Sequence, residues 1–155
     1  VIRLGSRPLA LLLLVGWTAL IWWLMTRAKV TVGERWWWGP WARNLAHAPL
    51  FGVHAALAAL TVRPGAVPGP SAEPARRAER RAFLIAAAVA VGYGLLIEWK
   101  QSMIPGRVAS GWDLLTDSIG ALGVPWALST GALISGRAVA VFVAAAAMSA
   151  AATWL

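Results

Sequence analysis

Five ionisable or amide side chains, Glu98, Lys100, Gln101, Arg107 and Asp113, fall in the stretch EWKQSMIPGRVASGWD, which separates two long apolar runs. Asp117 follows one helical turn after Asp113, and His47 stands near the start of another apolar run. These residue types suit two kinds of chemistry. An imidazole beside a carboxylate can take and return a proton. A guanidinium can hold a phosphate or carboxylate through two parallel N–H bonds. We therefore take His47, Glu98 and Asp113 as candidate acid–base residues, and Gln101, Arg107 and Asp117 as candidate substrate-binding residues.

Helical spacing says which of them share a face. Asp113 and Asp117 are four apart, and Glu98 and Gln101 are three apart. Asn44, His47, Phe51 and His54 form one stripe. Pro105-Gly106 predicts a turn that could fold Arg107 back toward the helix ends. Three carboxylates then face one Arg, one Lys and one His. Either a carboxylate is protonated, or His47 is charged, or a cation is bound. Hard cations prefer such oxygen ligands, but the spacing is not that of a dense metal site and no metal ligand set is assigned. No cofactor motif is visible.

The elements that must position these residues are membrane spans. The chain has 155 residues, 59% hydrophobic and only 13% charged, against roughly a quarter charged in soluble domains. Mean hydropathy is +0.66. The apolar residues come in long blocks, which predicts an all-α, polytopic transmembrane helical bundle of about five spans. We place them at 8–25, 45–62, 82–99, 112–134 and 138–155. Residues 22–25, Trp-Trp-Leu-Met, offer no small-residue cleavage site, so the first run is expected as an anchor rather than a signal peptide. Gly92 and Gly94 in the third run, and Gly120 and Gly123 in the fourth, would permit close helix approach. The chain reads as one integral membrane domain, 1–155.

Net charge is +8. The basic residues lie mostly between apolar blocks, where they meet lipid phosphates, so membrane lipids rather than nucleic acid are the expected partners. The RRAERR cluster at 76–81 abuts the third span and predicts a cytoplasmic N-terminus, with the motif face outside. The segment 63–75, RPGAVPGPSAEPA, reads as a flexible cytoplasmic linker. Trp36, Trp37, Trp38 and Trp41 read as an interfacial anchor, with a sugar platform as the sharper alternative. There are no cysteines, which excludes disulfides and thiolate chemistry.

His47, then Glu98-x-x-Gln101, Pro105-Gly106-Arg107 and Asp113-x-x-x-Asp117-x-x-Gly120 resemble, in order and spacing, the VanZ-like family of bacterial membrane proteins. The resemblance covers about residues 8–130 and makes the run at 138–155 an additional C-terminal span on a four-span core. The family often has an acidic residue and Lys ahead of the His, where Arg43 and Asn44 stand here, and usually has Asn where Asp117 stands. It takes its name from a protein linked to teicoplanin resistance. The resemblance thus implies a cell-envelope role, more firmly than any reaction.

Two functions are expected from these residues. In the first, a polar site at the outer membrane boundary binds or processes an anionic envelope component or lipid headgroup, such as a lipid-linked precursor. Arg107 holds the anion, His47 or Glu98 acts as acid or base, and Asp113 orients it. In the second, a non-catalytic scaffold uses the same cluster only to lock its helices. Transport is disfavoured, because neither repeated halves nor paired broken helices can be read.

Overall fold

The apolar runs become helices because their backbone groups have no better partner than one another. The computed structural model describes residues 7–27, 39–62, 72–105 and 110–129. Within them it holds four helices and no strands: α1 (Arg7–Met25), α2 (Gly39–Val62), α3 (Ala72–Ser102) and α4 (Gly111–Ser129). The all-helical expectation holds for these residues. Two stretches, Arg7–Met25 and Arg77–Ser102, are long and apolar enough to cross a membrane, and Ala46–Val62 is a shorter apolar helix. The fifth expected span, 138–155, lies outside the described residues, as do Trp36, Trp37 and Trp38.

Helix bounds differ from expectation where the ends are polar. The third helix begins at Ala72, ten residues before the apolar run, so the last residues of the expected linker form its first turn. Pro74 falls where a helix does not need its N–H. Glu73 suits the positive end of the helix dipole, and its carboxylate accepts from Arg77 Nε at 2.9 Å, one turn on. The second helix starts at Gly39, ahead of its apolar run, and carries Pro49 inside it. Residues 63–71 lie outside the described residues.

Contacts near helix ends fix the directions. Gln101 near the end of α3 donates to the Met25 carbonyl at the end of α1, 2.9 Å away. His47 near the start of α2 meets Asp117 near the start of α4. So α1 and α3 run one way, and α2 and α4 the other. The second helix touches the other three, while α1 and α4 do not meet. Everything that follows happens at the end where α1 and α3 finish and α2 and α4 begin.

The interior is small and polar. Ala48, Ala55, Ala58, Ala86, Ala90 and Ala121 are buried beside His47, His54, Glu98, Gln101 and Asp117. Among the described residues one cluster of larger side chains fills the inside: Ile21, Met25, Phe51 and Ile97, with Trp17, Leu50 and Tyr93 against it. Leu12, Leu84, Ile85, Leu95, Leu96 and Trp99 face outward instead.

Glycine decides how closely the helices approach. A Cβ on Gly120 would overlap the backbone of Ala48, and one on Gly52 would overlap Val124. Ala48 and Gly52 are one turn apart on α2, as are Gly120 and Val124 on α4, so the two backbones touch along a seam of small residues. Gly94 also lies at a contact, but Gly92 does not: a Cβ there would meet nothing within 4 Å. The expectation for Gly92 is corrected, since it is two residues from Gly94 and so on a different face.

Candidate functional site

His47, Phe51 and His54 share one buried stripe of α2; Phe51 and His54 pack against α1 and α3, and His47, nearest the start of the helix, reaches α4. Asn44 completes the stripe in sequence, but its side chain lies outside the described residues. On α4, the sequence places Asp113 in the first turn and Asp117 a turn deeper. Asp117 comes level with the imidazole: His47 Nδ1 and Asp117 Oδ1 are 2.9 Å apart, and the Asp117 side chain is wholly buried. With the carboxylate ionised, Nδ1–H donates to Oδ1. That fixes the ring and leaves Nε2 as the nitrogen through which the pair can act.

The sequence assigns orientation of the base to Asp113. In the structure it is Asp117 that lies within hydrogen-bond distance of His47. Asp113 is half-buried in the first turn of α4, and Asp117, which meets the imidazole, lies one turn of about 5.4 Å further along the helix.

Glu98 comes in from α3. Its Oε2 accepts from the Ser110 backbone N–H at 2.7 Å. Ser110 caps α4, its hydroxyl facing the Asp113 N–H at 3.4 Å. In a capping box the acid three residues into the helix would also receive the cap's own N–H. Here Glu98 receives it, which pins the end of α3 to the start of α4. Sequence reasoning missed Ser110, although Ser-x-x-Asp before an apolar run was a usable signal.

Glu98, Asp113 and Asp117 all lie within Coulombic reach of His47. Two of their oxygens are incompletely satisfied. Glu98 Oε1 and Asp117 Oδ2 are buried with no hydrogen-bond partner among the described residues. Asp117 Oδ2 lies against α3 where Gly94 has no side chain; a Cβ there would be 3.2 Å away. No group of three or more His, Asp or Glu suited to a metal ion occurs among the described residues.

Gln101 stands apart from this cluster. Its amide is committed to the Met25 carbonyl, so it ties α3 to α1. Arg107 lies outside the described residues; chain connectivity sets it two residues after Pro105 and three before Ser110.

A second polar group sits deeper and was not foreseen beyond His54 itself. The Thr18 hydroxyl donates to the Leu14 carbonyl at 2.7 Å, and His54 Nε2 lies 3.0 Å from the same oxygen. Thr18 therefore accepts from Nε2–H, and His54 holds its proton on the opposite nitrogen from His47. The His54 ring stacks on Tyr93, centroids 5.1 Å apart, and the Tyr93 hydroxyl donates to the Thr18 carbonyl at 2.7 Å. Trp17 Nε1–H donates to the Leu50 carbonyl at 2.9 Å. These bonds join α1, α2 and α3. Isolated Thr and Tyr residues in apolar runs give no periodic signal, which is why the sequence did not expose them.

Comparison with family models, with curated proteins and with solved structures finds no match to this chain.

Proposed function

We propose that this chain is a VanZ-like, multi-pass protein of the bacterial cell membrane. Its polar cluster binds or processes an anionic envelope component or lipid headgroup at the outer boundary, and so influences susceptibility to glycopeptides of the teicoplanin type. The observation that carries the site is the buried His47–Asp117 pair, 2.9 Å apart, with buried Glu98 fixed to Ser110 at the same end of the helices.

The inside-out composition supports the membrane reading. Large apolar side chains outside and alanine, glycine and polar groups inside suit lipid, where small residues let helices approach and ionisable groups turn inward. Arg27 over the Trp23 ring, 3.7 Å from its centroid, fits the end of a span at headgroup level. Five spans and a cytoplasmic N-terminus complete the proposal. Because the chain lacks cysteine, single cysteines can be placed cleanly. A cysteine at Ser102 should react with an impermeant thiol reagent in intact cells, and one at Glu73 only after permeabilisation; the reverse pattern would overturn the orientation.

In the proposed chemistry Arg107 grips the anion, His47 Nε2 accepts or returns a proton, Asp117 orients the ring, and Glu98 with Asp113 sets the local charge. The scaffold alternative is weaker because α2 and α4 already lock through Ala48, Gly52 and Gly120. Burying a charged pair where apolar side chains would pack is seldom the stablest solution.

The test compares Arg107→Lys, Glu98→Gln and Asp113→Asn for folded yield in detergent, and for complementation and lipid content in a deletion strain. A working site predicts near-normal yield with complementation reduced about a hundredfold or more. A purely structural cluster predicts lost yield; normal yield with full complementation sinks the site.

A further inference from the structure

We infer that the polar start of α3 binds an anionic phospholipid of the cytoplasmic leaflet. Arg77, Arg80 and Arg81 meet its headgroup, and the exposed face that follows them meets an acyl chain. This surface lies at the opposite end of the helices from the site above. It rests on the membrane reading and the orientation proposed above, and not on the chemistry of that site.

The helix α3 has 31 residues and is about 46 Å long, whereas the hydrocarbon of a bilayer is about 30 Å thick. The Gln101–Met25 bond sets α1 and α3 level at the site's end. At about 1.5 Å per residue, Arg81 lies about 30 Å before Gln101, and Arg7 about 27 Å before Met25. Basic residues on two helices thus come to nearly one depth, a hydrocarbon thickness from the site's end. In a bilayer that is the level of the lipid phosphates.

Helical spacing sets which way the arginines face. Arg77, Arg81, Leu84, Ala88, Gly92 and Leu95 follow one another at three or four residues and so form one stripe. All six are exposed, while Ala82, Ala86 and Ala90 on the other side of the helix are buried. Arg77 and Arg81 therefore stand over the lipid-facing surface and not over the packed interior. An acyl chain in one leaflet covers about 15 Å, half the hydrocarbon, which along the helix reaches from Arg81 to about Gly92. There is room beside Gly92, where an added Cβ would meet nothing within 4 Å.

Charge selects the occupant of this face. Arg77 is paired with Glu73. Arg80 and Arg81 are exposed and hold no hydrogen bond or ion pair among the described residues. A phosphate carried on an apolar tail answers both the guanidinium groups and the apolar stripe that continues from them. A soluble polyanion would leave the stripe uncovered. A second copy in the same orientation would set its own Arg81 against this one, and like charges across an interface repel.

The experiment takes the full chain in detergent and counts lipid adducts by native mass spectrometry, with phosphatidylglycerol and phosphatidylcholine at equal concentration. Each arginine near an anionic group is worth roughly a fivefold gain in binding. The expected result is about a tenfold or greater preference for phosphatidylglycerol. Arg80→Gln with Arg81→Gln should abolish it, and Lys100→Gln, at the other end of the same helix, should leave it. Equal retention of the two lipids overturns the inference. So does a preference that survives the paired exchange or falls as far in Lys100→Gln. Glycerol phosphate binding as tightly as the lipid would leave the apolar stripe without a part, and a doubled mass without adducts would give the face to a second copy; either result also overturns it. If the paired exchange folds poorly, Arg81→Gln alone decides, with about a fivefold loss expected. The membrane reading fails separately, if the chain stays monodisperse once detergent is removed with no lipid added.

Discussion

His47→Gln is expected to cost about 3–5 kcal/mol of stability, and His47→Gln with Asp117→Asn to recover most of that while complementation stays lost. The single exchange leaves the wholly buried Asp117 carboxylate facing a neutral amide that cannot take up a balancing proton. The double exchange replaces the imidazole and the carboxylate with two neutral amides, which can still bond across the 2.9 Å gap. A cluster that only locks the helices would regain function as it regains stability. A site would not, because an amide cannot cycle a proton, and the loss from that alone is about 10²–10⁴-fold. Unfolding in detergent and complementation separate the two. With only two histidines in the chain, nitrogen NMR gives a second check. The His54 signals should persist in the variants, since Thr18 holds that ring independently. Recovery of both stability and function in the double variant would leave the acid–base reading without support.

Gly120→Val is expected to abolish folded yield, and Gly92→Ala to leave it unchanged. At Gly120 even a Cβ would overlap the Ala48 backbone, which has no side-chain freedom with which to yield. Relief requires α2 and α4 to move apart, which would pull His47 away from Asp117. Overpacking typically costs about 1–3 kcal/mol, and more where backbone must shift. At Gly92 an added methyl faces open space. Size-exclusion profiles of the two variants in one detergent suffice. A monodisperse, heat-stable Gly120→Val protein would show that the α2–α4 seam is not needed.

Helical class was legible in the sequence because long apolar blocks leave the backbone few alternatives. The stripe His47, Phe51, His54 was legible because period 3.6 converts spacing into a face. The pairing within the site was not. Asp113 and Asp117 share a face, so periodicity could not say which meets His47; that depends on the relative height of α2 and α4, which the contact at Gly120 and Ala48 sets. Gln101 shares a face with Glu98 yet turns to α1, because only the packed structure brings the Met25 carbonyl within reach. Gly92 and Gly94 looked equivalent, and one lies at a helix contact while the other does not.

By itself, then, the sequence determined that His47, Glu98, Asp113 and Asp117 would come to one end of a helical protein, since alternating helix direction follows from the order of the runs. Tertiary structure decided that Asp117 rather than Asp113 bonds to His47, that Glu98 caps α4 through Ser110, and that one oxygen of each carboxylate has no partner among the described residues. The physical reason is that spacing along one helix is set by the backbone, while depth between helices is set by which small residues touch.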